Sequence, residues 1–178
     1  MAEAVTPIDA LANAYYAANL HGKSDPRRYA EETDKLLKET CFPLDKTVQI
    51  IDAYIKSSGF FIYGSQLQFA AESTIARLVD RNLSPEEAVR LIPAFSQLSD
   101  YAESVPSLFN ATSAALDYMA AKGYSAEEIV QELQQIKAEM KKQHVEKFPK
   151  WRRFLIGTRF SAKDIYPLAF RNRRVPNF

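Results

Sequence analysis

Apolar residues along this chain recur at helical spacing, three and four apart, and the runs are separated by residues that begin or stop helices. Thr6-Pro7, with Asp9 three residues after the cap, opens a run of Ile8, Leu11, Ala12 and Tyr15, which predicts a first helix extending to about Leu20. Asp25-Pro26 opens a second with Tyr29, Leu36 and Leu37 on its apolar face, stopped by Pro43. Asp45 is expected to open a third through Val48, Ile51, Tyr54 and Ile55, broken by Ser57-Ser58-Gly59. The run Phe60-Phe61-Ile62-Tyr63 is too short to classify by period and is assigned to a buried connection. A fourth helix starts near Ser65, carries Leu67, Ala71, Ile75 and Leu78 or Val79, and ends at Asn82.

The later segments carry stronger end signals. Ser84-Pro85-Glu86-Glu87 has the form of a capping box with proline at the first helical position, leading into Val89, Ile92 and Phe95, and Pro93 interrupts the hydrogen-bond ladder inside that fifth helix. A sixth covers Leu108, Phe109, Ala115, Leu116 and Met119 and stops at Gly123. Ser125-Ala126-Glu127-Glu128 is a second capping box, followed by Ile129, Leu133, Ile136 and Met140, and Phe148-Pro149 ends the seventh helix.

These segments repeat. Phe69 through Ser84-Pro85-Glu86-Glu87-Ala88-Val89 matches Phe109 through Ser125-Ala126-Glu127-Glu128-Ile129-Val130 at offsets of 40 and then 41, and Val48 and Ile51 match Val89 and Ile92 at 41. Self-similarity at this period predicts an all-α fold of about seven helices, stacked as antiparallel hairpins into a short solenoid, each unit burying its open face on the next. The expected division is a helical-repeat domain over 1–147 and an extended basic, aromatic tail over 148–178.

Charge separates the same two regions. The formal net charge is +1. Residues 141–178 hold 11 Lys or Arg against Glu146 and Asp164, a net of +9, and residues 1–140 hold 12 against 20 acids, a net of −8. Asymmetry of this kind bears on partners, because it sets long-range attraction. From Phe148 onward the aromatic residues Phe148, Trp151, Phe154, Phe160, Tyr166, Phe170 and Phe178 interleave with Lys150, Arg152, Arg153, Arg159, Lys163, Arg171, Arg173 and Arg174. Aromatic and arginine side chains dominate interface hot spots, so these residues are read as partner-binding. Pro149, Pro167 and Pro176 favour an extended course. Three occupants compete for the tail: the chain's own acidic body, an RNA whose phosphates and bases it would neutralise and stack on, and a larger protein, which is favoured. The acidic body weighs against RNA.

Catalytic signals are weak. Glu86-Glu87 and Glu127-Glu128 follow serines and are assigned to capping rather than acid–base work. Cys41 lacks a base placed beside it in sequence and is read as a structural thiol. His21 and His144 with this one cysteine give no zinc spacing, and five glycines form no phosphate loop. No metal or cofactor is expected, and the chain is read as non-catalytic. No apolar run approaches the roughly 20 residues that span a bilayer, so a soluble protein is expected. Residues 1–20 contain no Lys or Arg, unlike a secretory or organelle leader, so an imported protein would be present here in its mature form.

The hairpin from Phe109 to Met140, with Phe109-Asn110, then Leu116, Met119, Gly123, Glu128-Ile129, Leu133 and Met140, resembles a pentatricopeptide-type repeat, and the resemblance extends over residues 44–140. It departs from that family in a first helix about a turn longer, and the family's base-reading positions have no counterpart that can be placed. Seven such helices and a tail are also similar to the pentatricopeptide-like extra F1 subunits of euglenozoan mitochondrial ATP synthases. That resemblance implies a subunit clamped on the outside of the F1 α-subunit, on the mitochondrial matrix side, with no chemistry and no bound RNA.

Overall fold

A computed structural model describes residues 5–16, 25–58, 62–98 and 104–147, with the side chains of all but 98, 136, 137 and 139–147. The described residues form seven α-helices and no strand: α1 (Pro7–Tyr16), α2 (Pro26–Thr40), α3 (Leu44–Ser57), α4 (Gly64–Arg81), α5 (Pro85–Leu98), α6 (Val105–Lys122) and α7 (Ala126–Lys147).

Most helix ends follow local chemistry. At α1 the Asp9 N–H donates to the Thr6 hydroxyl oxygen at 3.2 Å while the Thr6 hydroxyl donates back to the Asp9 carboxylate at 2.6 Å. The Asp25 carboxylate accepts from the Arg28 N–H at 3.1 Å, with Pro26 opening α2. Ser125 and Glu128 form the reciprocal box at α7, at 2.9 and 3.3 Å. Asn82 and Gly123 close α4 and α6 in the left-handed conformation, at φ 52° and 72°.

Four expectations are corrected at this level. Cys41, at φ 54°, ends α2 two residues before Pro43, because its left-handed backbone turns the chain first, and it is exposed. Pro43, not Asp45, is the N-cap of α3; with no side-chain cap available, the Thr47 N–H and hydroxyl both donate to the Pro43 carbonyl. Tyr63 is the extended N-cap of α4 and is 56% exposed, so the connection before α4 is not buried there. Ser84 binds the Glu86 N–H, two residues on, so Ser84 and Glu87 form no box. Residues 17–20, Phe60 and Phe61 lie outside the described residues.

The helices form two layers. The odd-numbered helices α1, α3, α5 and α7 pack side by side, as do α2, α4 and α6, and the broadest cross-layer contacts pair α1 with α2, α5 with α6, and α3 with α4. Three-residue turns also join α4 to α5 and α6 to α7, yet those helices share little surface. The Phe109–Met140 hairpin is thus continuous in sequence, whereas α6 packs mainly on α4 and α5.

The period is visible in the seams. Polar contacts between like-layer helices join residues 36 to 40 apart, including Gln68 to Glu32, Thr33 to Glu72, Ser96 to the Ser57 carbonyl, and the Ala126 N–H to Glu87. At an offset of 41, the fully buried Ile51 and Ile92 correspond to Leu133, and Tyr54 corresponds to Phe95. Full burial of each large apolar side chain is worth about 1.5–3 kcal/mol, so this shared stripe is the main source of cohesion. One position departs: Ile50 and Leu91 are fully buried, but the matching residue on α7 is Glu132, which is half-buried.

Candidate interaction surface

The thirteen residues expected to bind a partner, Phe148, Trp151, Arg152, Arg153, Phe154, Arg159, Phe160, Tyr166, Phe170, Arg171, Arg173, Arg174 and Phe178, lie outside the described residues. The surface on which they would act is set by the helical body.

The body's ion pairs lie at the surface, along and between its own helices. Along single helices Arg27 pairs with Glu31, Arg28 with Glu32, Lys38 with Asp34 and Lys56 with Asp52. Between repeats Lys46 reaches Glu86 at 2.7 Å, Arg90 faces Glu127 at 3.5 Å, and Arg77 and Arg81 share Asp117. Exposed pairs of this kind contribute little each, yet they occupy carboxylates that would otherwise meet an external cation. The Lys46 ammonium, aided by the Ser84 hydroxyl and a backbone N–H, holds Glu86 down to about 2. Hydrogen bonds from the Ser125 backbone and side chain lower Glu128. Burial, with Glu128 nearby, raises Glu132. Glu87 supplies a cap across a seam, accepting from the Ala126 N–H at the start of α7 at 2.7 Å. The adjacent acids therefore perform structural work in both places.

A polar chain runs between α1, α2 and α4. Thr33 donates its one hydroxyl proton to Glu72 at 2.8 Å, so the Tyr15 hydroxyl, 2.8 Å away, must donate to Thr33. Gln68 then joins Glu72 at 3.0 Å to Glu32 at 2.6 Å, and Arg28 closes the line at 3.0 Å. Burial pushes the Tyr15 hydroxyl well above its ordinary range. Hydrogen bonds from Gln68 and Arg28 lower Glu32. This chain locks three helices together.

The clearest feature facing solvent is aromatic. Phe69 on α4 is 61% exposed, and its ring meets Phe109 of α6 edge-on at a centroid distance of 5.3 Å. They line a cleft of about 350 Å³ with Ser65, Gln66, Ala70, Pro106 and Asn110. An exposed aromatic pair in a mostly apolar cleft is a surface that gains by being covered. The repeat match aligns Phe69 with Phe109, but says nothing of which way either ring faces. The overlooked signal is phase: Phe69 sits two residues from both Leu67 and Ala71, about 200° around the helix from them, on the side away from the core.

On the other layer two clefts of about 430 and 480 Å³ flank α5 and share Pro93 and Gln97. Pro93 lacks an N–H, so it cannot give the Val89 carbonyl the usual helical donor four residues on. Their linings are mixed: Gln49, Asp52, Lys56 and Ser96 beside Ala53 and Val89 on one side, Arg90, Glu127, Gln131 and Gln134 beside Ala94 and Val130 on the other. Among the described residues there is no group of three or more His, Cys, Asp or Glu able to hold a metal, and no helix is long and apolar enough to cross a membrane. No known protein family, curated protein or solved structure matches the chain.

Proposed function

We propose that this chain is a non-catalytic accessory subunit of a larger protein assembly, a helical-repeat body that docks through residues 148–178 and its own helical surface. One observation carries the reading: a net charge of +9 over residues 141–178, with seven aromatic rings from Phe148 onward, follows a body of net −8 in which seven carboxylates of the described residues pair with the body's own cations. Such a segment matches an acidic partner surface with pockets for rings, where arginine and aromatic anchors carry most of the binding energy.

A narrower form of the proposal follows from the layout of seven helices and a tail: attachment to the α-subunit on the outside of mitochondrial F1-ATPase, on the matrix side. RNA is the competing partner. In a pentatricopeptide-like array the even layer would face it, and that layer is balanced: α2 carries four cations and four anions, α4 two and two, α6 one and one. A surface that reads RNA needs a basic excess along its length, so protein is the better fit.

The test is to isolate the full chain and a version ending at Lys147 from the native source and measure native mass and the 260/280 nm absorbance ratio. The proposal expects a large protein complex for the full chain and a protein-only monomer for the shortened one. Two monomers, or a full chain that carries nucleic acid released steeply by salt, would overturn it.

A further inference from the structure

We infer that the Phe69/Phe109 cleft is the docking site for the first part of this chain's own tail: residues 148–160 fold back over the N-terminal end of α6 and pack an aromatic ring against the exposed side of the phenylalanine pair. This narrows the partner-docking part of the tail in the proposed function to residues 161–178, with Tyr166, Phe170 and Phe178.

The argument starts from where the chain leaves the body. The Ala126 N–H bonds Glu87 at 2.7 Å, so α7 begins level with α5. It has 22 residues against 14, and overshoots α5 by eight residues, about 12 Å. Because α6 enters α7 through the turn at Gly123, Phe109 stands 14 residues, about 21 Å, from that end of the array, while Lys147 stands about 32 Å from it. The tail therefore departs at the end where the cleft opens, about 11 Å beyond it. Crossing the even layer, at about 10 Å between helix axes, and descending its outer side takes roughly 25–30 Å, or eight to nine extended residues. Phe154 and Phe160, seven and 13 residues past Lys147, bracket that reach.

The chemistry of the cleft agrees. Its floor is two edge-to-face rings, and its rim of Ser65, Gln66 and Asn110 is neutral, so it selects a ring rather than a charge. An arginine neighbouring that ring, such as Arg153 or Arg159, can stack its guanidinium on the exposed face of Phe69. The chain's own segment is favoured over a separate molecule because a short tether holds it at an effective concentration on the order of millimolar.

The test places p-benzoylphenylalanine at position 69 of the full chain and maps cross-links by mass spectrometry after irradiation. The expected product has monomer mass and joins position 69 to a peptide within 148–160, at a yield about tenfold above the same probe at Lys35, on the exposed face of α2. Combining the probe with Phe154→Ser and Phe160→Ser should cut that yield several-fold. Cross-links found only in a dimer, yields equal to the Lys35 control, or yields unchanged by the double substitution would each overturn the inference. Loss of partner capture is a separate readout, made with residues 161–178 deleted, so failure of one idea does not mimic failure of the other.

Discussion

The α1–α2 seam and the α5–α6 seam occupy equivalent places in the repeat, yet they are filled with opposite chemistry. In the first, Tyr15 and Thr33 pair by their hydroxyls, and Thr33 passes the line on to Glu72, Gln68 and Glu32. In the α3–α4 seam, Tyr54 and Thr74 pair at 2.9 Å, deep in the core. At the corresponding positions of the α5–α6 seam stand Phe95 and Ala115, both fully buried, and the hydroxyls are gone from both at once. The lesson is that the ring position builds the repeat, while the Tyr–Thr hydroxyls are present or absent together, since losing one member would strand the other in the core.

The comparison can be broken most forcefully at its polar end. Thr33→Val removes the middle of a three-member line and strands the Tyr15 hydroxyl, so urea denaturation at pH 7 should show a loss of about 2–3 kcal/mol. A loss no larger than that of Thr74→Val would mean the longer network adds nothing. In the second seam, Thr74→Val and Tyr54→Phe should each cost about 1–2 kcal/mol, with the double variant less destabilised than their sum by about 0.5–1 kcal/mol. Strict additivity would contradict the pairing rule.

Smaller effects test how the repeats are stitched. Glu87→Ala removes the carboxylate that caps the α7 N-terminus from a neighbouring repeat, and should cost about 1 kcal/mol while speeding hydrogen exchange at Ala126. Unchanged exchange there would reduce that cap to a surface contact. The smallest effect is set by pH. Glu86, held to about 2 chiefly by Lys46, is depressed below its unfolded value, so its contribution is present above about pH 4.5 and fades as pH falls toward 2. Lys46→Met should flatten the stability curve over that window. An identical curve would show that the pair does not couple α3 to α5.

Much of the fold was legible from the chain because helix ends and apolar stripes are local. Thr6 with Asp9, Ser125 with Glu128, Asn82 and Gly123 act within four residues of themselves, and their positions followed directly. The period of about 41 likewise announced the stacking, since like positions must meet like positions in an array. What resisted reading was contact between distant helices. Glu87 had the spacing of a local cap but serves α7, 39 residues away, because α5 and α7 start side by side. Phe69 had the composition of a core residue but the phase of a surface one. The Tyr–Thr pairs left no pattern because their spacings of 18 and 20 residues join two helices rather than follow one. The expected binding residues beyond Lys147 lie outside the described residues, so the account of them rests on charge and aromatic content.

The claim that the tail grips another protein is tested most directly by lysine cross-linking mass spectrometry on the chain in its native extract, followed from Lys163. The account predicts cross-links from Lys163 into one other protein, on a segment rich in Asp and Glu. Cross-links from Lys163 confined to this chain's own lysines would contradict it.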